Sequence, residues 1–184
     1  MSDVDQIVRE IVENNTGGVR MKNLENRVTR DFFRKDSLTV AQNLLGRDIV
    51  RYFPNNTETR GRILEVSAWE GTYGQRPQKF PDYKQGVVSV SCKFGKYMID
   101  VTCGDKGSCV TLLKAEFDID GRKYTADGPS KLASILQVTP DAFDGYDLVE
   151  GSAIKIEGAP GEIMVYTRNK SNVPKNCRGF HYTK

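Results

Sequence analysis

One stretch constrains this 184-residue chain more than any other: residues 60–71, which read RGRILEVSAWEG. Apolar and other residues alternate there with a period of two, which a strand satisfies and a helix does not. Leu64, Val66 and Ala68 make one face, a core face. Ile63, Glu65, Ser67 and Trp69 make the other, which combines an acid, a hydroxyl and a large aromatic ring. That mixture suits the wall of a cleft or a solvent-facing edge strand, and the stretch by itself leaves both open. In either case the chain is built around a sheet. Residues 48–53 read as a second strand, and PNNT at 54–57 is a turn, so the two strands form a hairpin.

The rest of the chain supplies partners for that hairpin. Residues 38–45 form a short helix, capped by Asp36 or Ser37 and closed by Gly46. Ahead of it, residues 24–35 hold Leu24, Val28, Phe32 and Phe33 among Arg27, Arg30, Arg34 and Lys35. After residue 71 comes a Gly/Pro/Lys-rich loop at 72–85. Strands follow at 87–92 and at 94–102, the latter with Tyr97, Ile99 and Val101 on one side. GDKG at 104–107 turns into a strand at 108–117, in which Val110, Leu112 and Lys114 alternate. Residues 118–123 read as a tight turn. Residues 128–138, GPSKLASILQV, read as a helix with Pro129 in its first turn. The tail, 146–182, reads as short strands and turns.

The pattern is α+β: a single domain with a curved antiparallel β-sheet and helices packed at one end. Before it, residues 3–13 carry the spacing of an amphipathic helix, and NNTGG at 14–18 reads as a joint. The chain therefore divides into an N-terminal helix and joint at 1–18 and a main domain at 19–184. The helix either docks a partner or packs back on the domain.

Composition narrows the chemistry. The four cysteines, Cys92, Cys103, Cys109 and Cys177, form no CxxC pair, and His181 is the single histidine. No metal site and no cofactor are expected from that set. The acidic, polar residues 1–10 are unlike a signal peptide, and no apolar run approaches a membrane span. Scattered thiols in such a chain fit a reducing intracellular compartment, cytoplasmic or nuclear. A net charge of +3 permits a basic patch without demonstrating one.

Three blocks then resemble a known family. VAQNLLGRDIVRYFPNNTETRGRILEVSAWEG, FGKYMIDVTCGDKGSCVTLLKAE and DGPSKLASILQV together cover most of residues 40–138. In that order they resemble the alkyladenine (3-methyladenine) DNA glycosylase family. The resemblance implies base flipping: a damaged purine leaves the duplex, stacks between aromatic rings, and is cut from its sugar by a water that a glutamate activates. Carried over residue by residue, the catalytic glutamate falls on Ser67, and only the acid before it, Glu65, is present. One pocket tyrosine falls on Trp69, another on Ser91. The intercalating tyrosine falls on Phe94, the pocket asparagine on Asp100, and the pocket arginine on Lys114. The stacking histidine belongs to a loop that is shortened between residues 71 and 80 and has no counterpart.

The resemblance thus implies a glycosylase fold that departs from the family where the chemistry is done. Serine does not take a proton from water at neutral pH without a neighbouring base. Three readings follow. The first is a nucleic-acid-binding protein that has lost the reaction, with Arg60, Arg62, Lys93, Lys96 and Lys131 available for phosphates. The second is an active glycosylase in which Glu65 or Asp100 has become the catalytic acid. The third is a protein-interaction module attached to a ribonucleoprotein. DNA is the expected partner, with RNA as the alternative. For the basic residues the alternative is an ordinary solvated face.

Overall fold

A computed structural model describes residues 27–70, 83–161 and 177–181. The helix and joint expected at 1–18, and most of the 72–85 loop, lie outside the described residues. Two helices precede the sheet: α1 (Arg30–Phe33) and α2 (Ser37–Leu44). Asp36 caps α2, accepting from the Thr39 N–H at 2.9 Å and from the Thr39 hydroxyl at 2.6 Å. Those bonds from Thr39 hold the Asp36 carboxyl below its ordinary range. Gly46 follows with φ +78°, and a Cβ there would sit 2.4 Å from the Gly161 backbone nitrogen. Its N–H donates to the Ile63 carbonyl at 2.9 Å, which fixes the end of α2 against the second strand.

The strands are β1 (Asp48–Tyr52), β2 (Glu58–Trp69), β3 (Val88–Lys93), β4 (Lys96–Thr102), β5 (Cys109–Ile119), β6 (Arg122–Asp127), β7 (Ile154–Glu157) and β8 (Cys177–His181). Helices α3 (Pro129–Ile135) and α4 (Pro140–Phe143) lie between β6 and β7. All pairs are antiparallel. The two long strands, β2 and β5, lie side by side, and each changes its outer neighbour half-way along. β2 pairs with β1 and then with β8; β5 pairs with β4 and then with β6. The order is therefore β3-β4-β5-β2-β8 at one end and β6-β5-β2-β1-β7 at the other. Sharing long strands in this way curls the sheet into a half-barrel. Helix α2 packs on β2 and β5, and α3 packs on β4, β5 and β6. Between them lies one core, which includes Phe33, Leu44, Ile63, Val66, Leu112, Phe117, Leu132 and Ile156.

The β2–β5 ladder is broken, and the break corrects the facing read from the sequence. Ile63 pairs with Ala115, Glu65 with Lys114, and Val66 with Leu112, so Leu64 and Leu113 each fall out of register. An extra residue in both strands reverses the parity of everything beyond it. Before the break Gly61, Ile63, Ala115 and Phe117 are buried; after it Val66, Ala68, Val110 and Leu112 are. Ile63, expected on the cleft face, is 1% exposed in the core, while Leu64, expected in the core, is half-buried outside it. Lys114 likewise leaves the face of Val110 and Leu112 and pairs with Asp127 at 3.6 Å. At Gly61 the Phe117 ring lies where a Cβ would be, 2.4 Å from Cε1.

Three boundaries also move. The turn expected over 118–123 is only Asp120–Gly121, both at positive φ, and the strand β6 follows it. RKYTAD buries Ala126 alone, so it carries no apolar alternation to announce a strand. The strand expected from residue 94 starts at Lys96, because Phe94 and Gly95 form the turn. The helix expected over 128–138 is Pro129–Ile135.

Two of the outer strands, β3 and β7, are covered where the chain returns to them. Along β3, Val88 exchanges bonds with residues 145–146, and the Val90 N–H donates to the Asp144 side chain at 3.0 Å. Along β7, Arg27 bridges Glu157 and the Val28 N–H donates to the Ile156 carbonyl at 3.1 Å. Among the described residues no helix is long and apolar enough to cross a membrane.

Candidate functional site

The face opposite the core carries a polar row that crosses four strands. Ser89 on β3 stands opposite Asp100 on β4, Asp100 opposite Thr111 on β5, and Thr111 opposite Ser67 on β2. Directly opposed residues of antiparallel strands share a face. All four are buried; Asp100 and Thr111 are each 1% exposed. Buried polar groups persist when they satisfy one another, and here they form a directed chain. The Trp69 indole Nε1 donates to the Thr111 Oγ1 at 3.0 Å and to the Ser67 Oγ at 3.2 Å. The Thr111 hydroxyl donates onward to the Asp100 Oδ1 at 2.5 Å, and the Ser91 hydroxyl reaches the Asp100 Oδ2 at 3.3 Å.

Ser67, Trp69, Ser91 and Asp100, picked out singly in the sequence, are thus one connected constellation. Thr111 and Ser89 complete it. Thr111 is the single hydroxyl residue of its strand, and Ser89 shares the parity of Ser91 in VSVSCK, the one signal that could have found it. Glu65 shares the face, in a second row with Lys114 and Asp127. Strand β8 brings the backbone of His181 opposite Glu65 and that of Gly179 opposite Ser67. The sequence placed this histidine only near the far end of the chain.

Phe94 stands apart from that row. With Gly95 it makes a two-residue turn in which both residues have positive φ, 53° and 72°. That is the geometry of a type I′ hairpin, favoured by Asn, Asp and Gly and disfavoured by a bulky ring. The side chain is 91% exposed. Lys93 and Lys96 form the register pair that closes the hairpin, and Lys96 is exposed. Lys131 is exposed in the first turn of α3.

Arg60 and Arg62, the arginines expected at phosphates, make ion pairs with acids of their own sheet. Arg60 reaches Glu157 at 2.6 Å, Asp48 at 3.4 Å and Glu58 at 3.5 Å, and Arg62 reaches Asp48 at 3.6 Å. Burial favours loss of the Arg60 proton, but Glu157 and the other acids outweigh it and raise the pKa. These arginines tie β2 to β1 and β7. Among the described residues no group of three or more His, Cys, Asp or Glu gathers as a metal would require. Burial, with the charge of Asp36, pushes the Cys103 thiol up to about 12.

The site is a polar face with a carboxyl at its centre, an aromatic ring at its rim, and an exposed ring on an adjoining hairpin. Stacking a planar group on the half-buried Trp69 is the chemistry the rim of such a face supports. The Ser67 and Thr111 hydroxyls beneath it are buried and engaged with Trp69 and Asp100. No family model matches the chain. Comparison with curated proteins finds human DNA-3-methyladenine glycosylase, 30% identical over 168 residues, spanning 74% of this chain and 56% of the human protein. The mouse DNA-3-methyladenine glycosylase is 29% identical over 168 residues, spanning 74% of this chain and 50% of the mouse protein. The chain therefore spans about half the length of these mammalian relatives. A putative 3-methyladenine DNA glycosylase of Clostridium botulinum is 30% identical over 163 residues, spanning 71% of this chain and 79% of the bacterial protein.

Proposed function

The chain belongs to the 3-methyladenine DNA glycosylase family, and from that premise we propose that it binds DNA, opens the base stack with Phe94, and receives the extruded base against Trp69, with the family's base-release step lost or greatly slowed. Phe94 carries this reading. A phenylalanine in the left-handed region costs roughly 1–2 kcal/mol, and at 91% exposure it returns no core burial. An apolar wedge on a hairpin flanked by Lys93 and Lys96 suits insertion between base steps with phosphates close by. The slowed chemistry follows from residue 67. The Ser67 Oγ accepts an indole N–H, and a hydroxyl there does not replace a water-activating carboxylate.

A second reading has its own observation. Asp100 lies in the same cross-strand row as Ser67, and Thr111 aims a proton at it. Asp100 is 1% exposed and accepts from both Thr111 and Ser91, so acting on a water requires the row to open. Glu65 in the neighbouring row is only half-buried. Either carboxyl is the candidate for a relocated catalytic group.

The test is base release. Protein in excess is incubated with duplexes carrying hypoxanthine, ethenoadenine or methylated adenine, and abasic sites are cleaved with alkali. The native chain releases little or no base, while Ser67→Glu recovers on the order of 10²-fold. Efficient release by the native chain would overturn the loss of chemistry, and Asp100→Asn beside Glu65→Gln would then identify the acid. Binding is measured in parallel on a mismatched duplex. Affinity falls steeply between low and physiological salt, and no binding at low salt would overturn the whole reading.

A further inference from the structure

We infer that β6 is a self-association edge, through which two copies of this chain join their sheets antiparallel about a two-fold axis passing beside Thr125. The edges of β3 and β7 are closed by residues 144–146 and 27–28, as described above. Strands β6 and β8 each pair with one strand only, β5 and β2, and among the described residues nothing is hydrogen-bonded to the outer side of β6. It is exposed at every position but Ala126. An uncovered edge of this length offers a row of outward N–H and C=O groups to another strand. The same hairpin leaves Ile119 42% and Tyr124 49% exposed, both on the side of Phe117 and beyond the end of the core.

Charge pattern selects the occupant and the register. Edges are usually defended by like charges, but RKYTAD places its cations at one end and its acid at the other. A two-fold pairing that keeps both core faces on the same side must set residues of equal parity opposite each other. Centring it on Thr125 places Lys123 opposite Asp127 of the second copy, and Tyr124 opposite Ala126. Within one copy Glu65 already faces Lys114, Lys114 faces Asp127, and Lys123 faces Asp118. Across the seam these become one row, Glu65–Lys114–Asp127–Lys123–Asp118, in which the sign alternates at every step. The parallel row on the other face is apolar: Ala115, Ala126, Tyr124, Phe117. Centring the pair on Tyr124 instead would carry Asp127 past the end of the partner strand and lose both charge pairs. A single strand pair with two aromatic contacts is smaller than a standard interface, so the dimer dissociates in the micromolar range, at or below about 200 μM.

Sedimentation velocity of the full chain without nucleic acid reads this directly. Wild type shifts from monomer to dimer as concentration rises toward about 200 μM. Lys123→Asp and Asp127→Lys each place like charges opposite one another at both ends of the seam, and each weakens self-association on the order of tenfold. Mixing the two variants restores it, because both seams of the mixed dimer again oppose a lysine to an aspartate. Both side chains are largely exposed, and circular dichroism confirms that each variant keeps its fold. A wild type that stays monomeric throughout overturns the inference. So does a dimer that neither reversal weakens, or a pair of variants that mixing does not rescue. None of these outcomes depends on DNA binding.

Discussion

Replacing Thr111 with valine removes one hydroxyl from the polar row at nearly constant volume. Two hydrogen bonds are lost with it: the 3.0 Å bond from the Trp69 indole and the 2.5 Å bond to Asp100. Thr111 and Asp100 are each 1% exposed, so water cannot substitute without the strands opening. A neutral bond is worth roughly 0.5–1.5 kcal/mol and one to a charged group roughly 1.5–3, so the expected loss is about 2–4 kcal/mol. For a chain of this length that lowers Tm by roughly 4–16 °C. Urea unfolding followed by circular dichroism measures the loss, and Trp69, the only tryptophan, reports the site by its fluorescence. Thr111→Ser is the control: it keeps the hydroxyl, gives up one methyl, and costs less than about 1.5 kcal/mol. A loss under about 0.5 kcal/mol for the valine variant, with the emission of Trp69 unchanged, would sink the hydrogen-bond chain from Trp69 to Asp100.

Two further outcomes are expected. Phe94→Gly relieves a left-handed residue and raises stability by roughly 1 kcal/mol, while affinity for a mismatched duplex falls more than affinity for single strands; equal losses on both would exclude a wedge. Stability declines in acid through Asp147: burial raises its pKa, but the hydrogen bonds from Arg30, from the Val149 and Glu150 N–H groups and from Lys84 outweigh that and lower it. A depressed carboxyl contributes stability that is present above its unfolded pKa of about 4 and is lost as pH falls through the folded value. Asp147→Asn should therefore flatten the fall in Tm between neutral pH and about pH 3, and an unchanged slope would assign the acid sensitivity to other groups.

Local signals in the sequence determined a good deal of this protein. The cap at Asp36, the β1–β2 hairpin around PNNT, the strand character of 60–71, and the shared face of Glu65, Ser67 and Trp69 all follow from neighbours within a few residues, where steric and hydrogen-bonding rules are decisive. The tertiary structure decided what depends on pairing. No single strand can show that its period is interrupted. Only the β2–β5 ladder reveals that Leu64 and Leu113 fall out of register together, sending Ile63 into the core and Lys114 out of the line of Val110 and Leu112. Strand β6 is a strand because β5 offers it a ladder, since its own residues bury almost nothing. Arg60 gains its ion pair because β7 delivers Glu157 beside it from far along the chain. The polar row needs four strands at one register, and Thr111 gains its role only when Asp100 and Trp69 arrive on either side. Periodicity records which way a side chain points from its own backbone; which group it meets is settled by the strands the fold lays beside it.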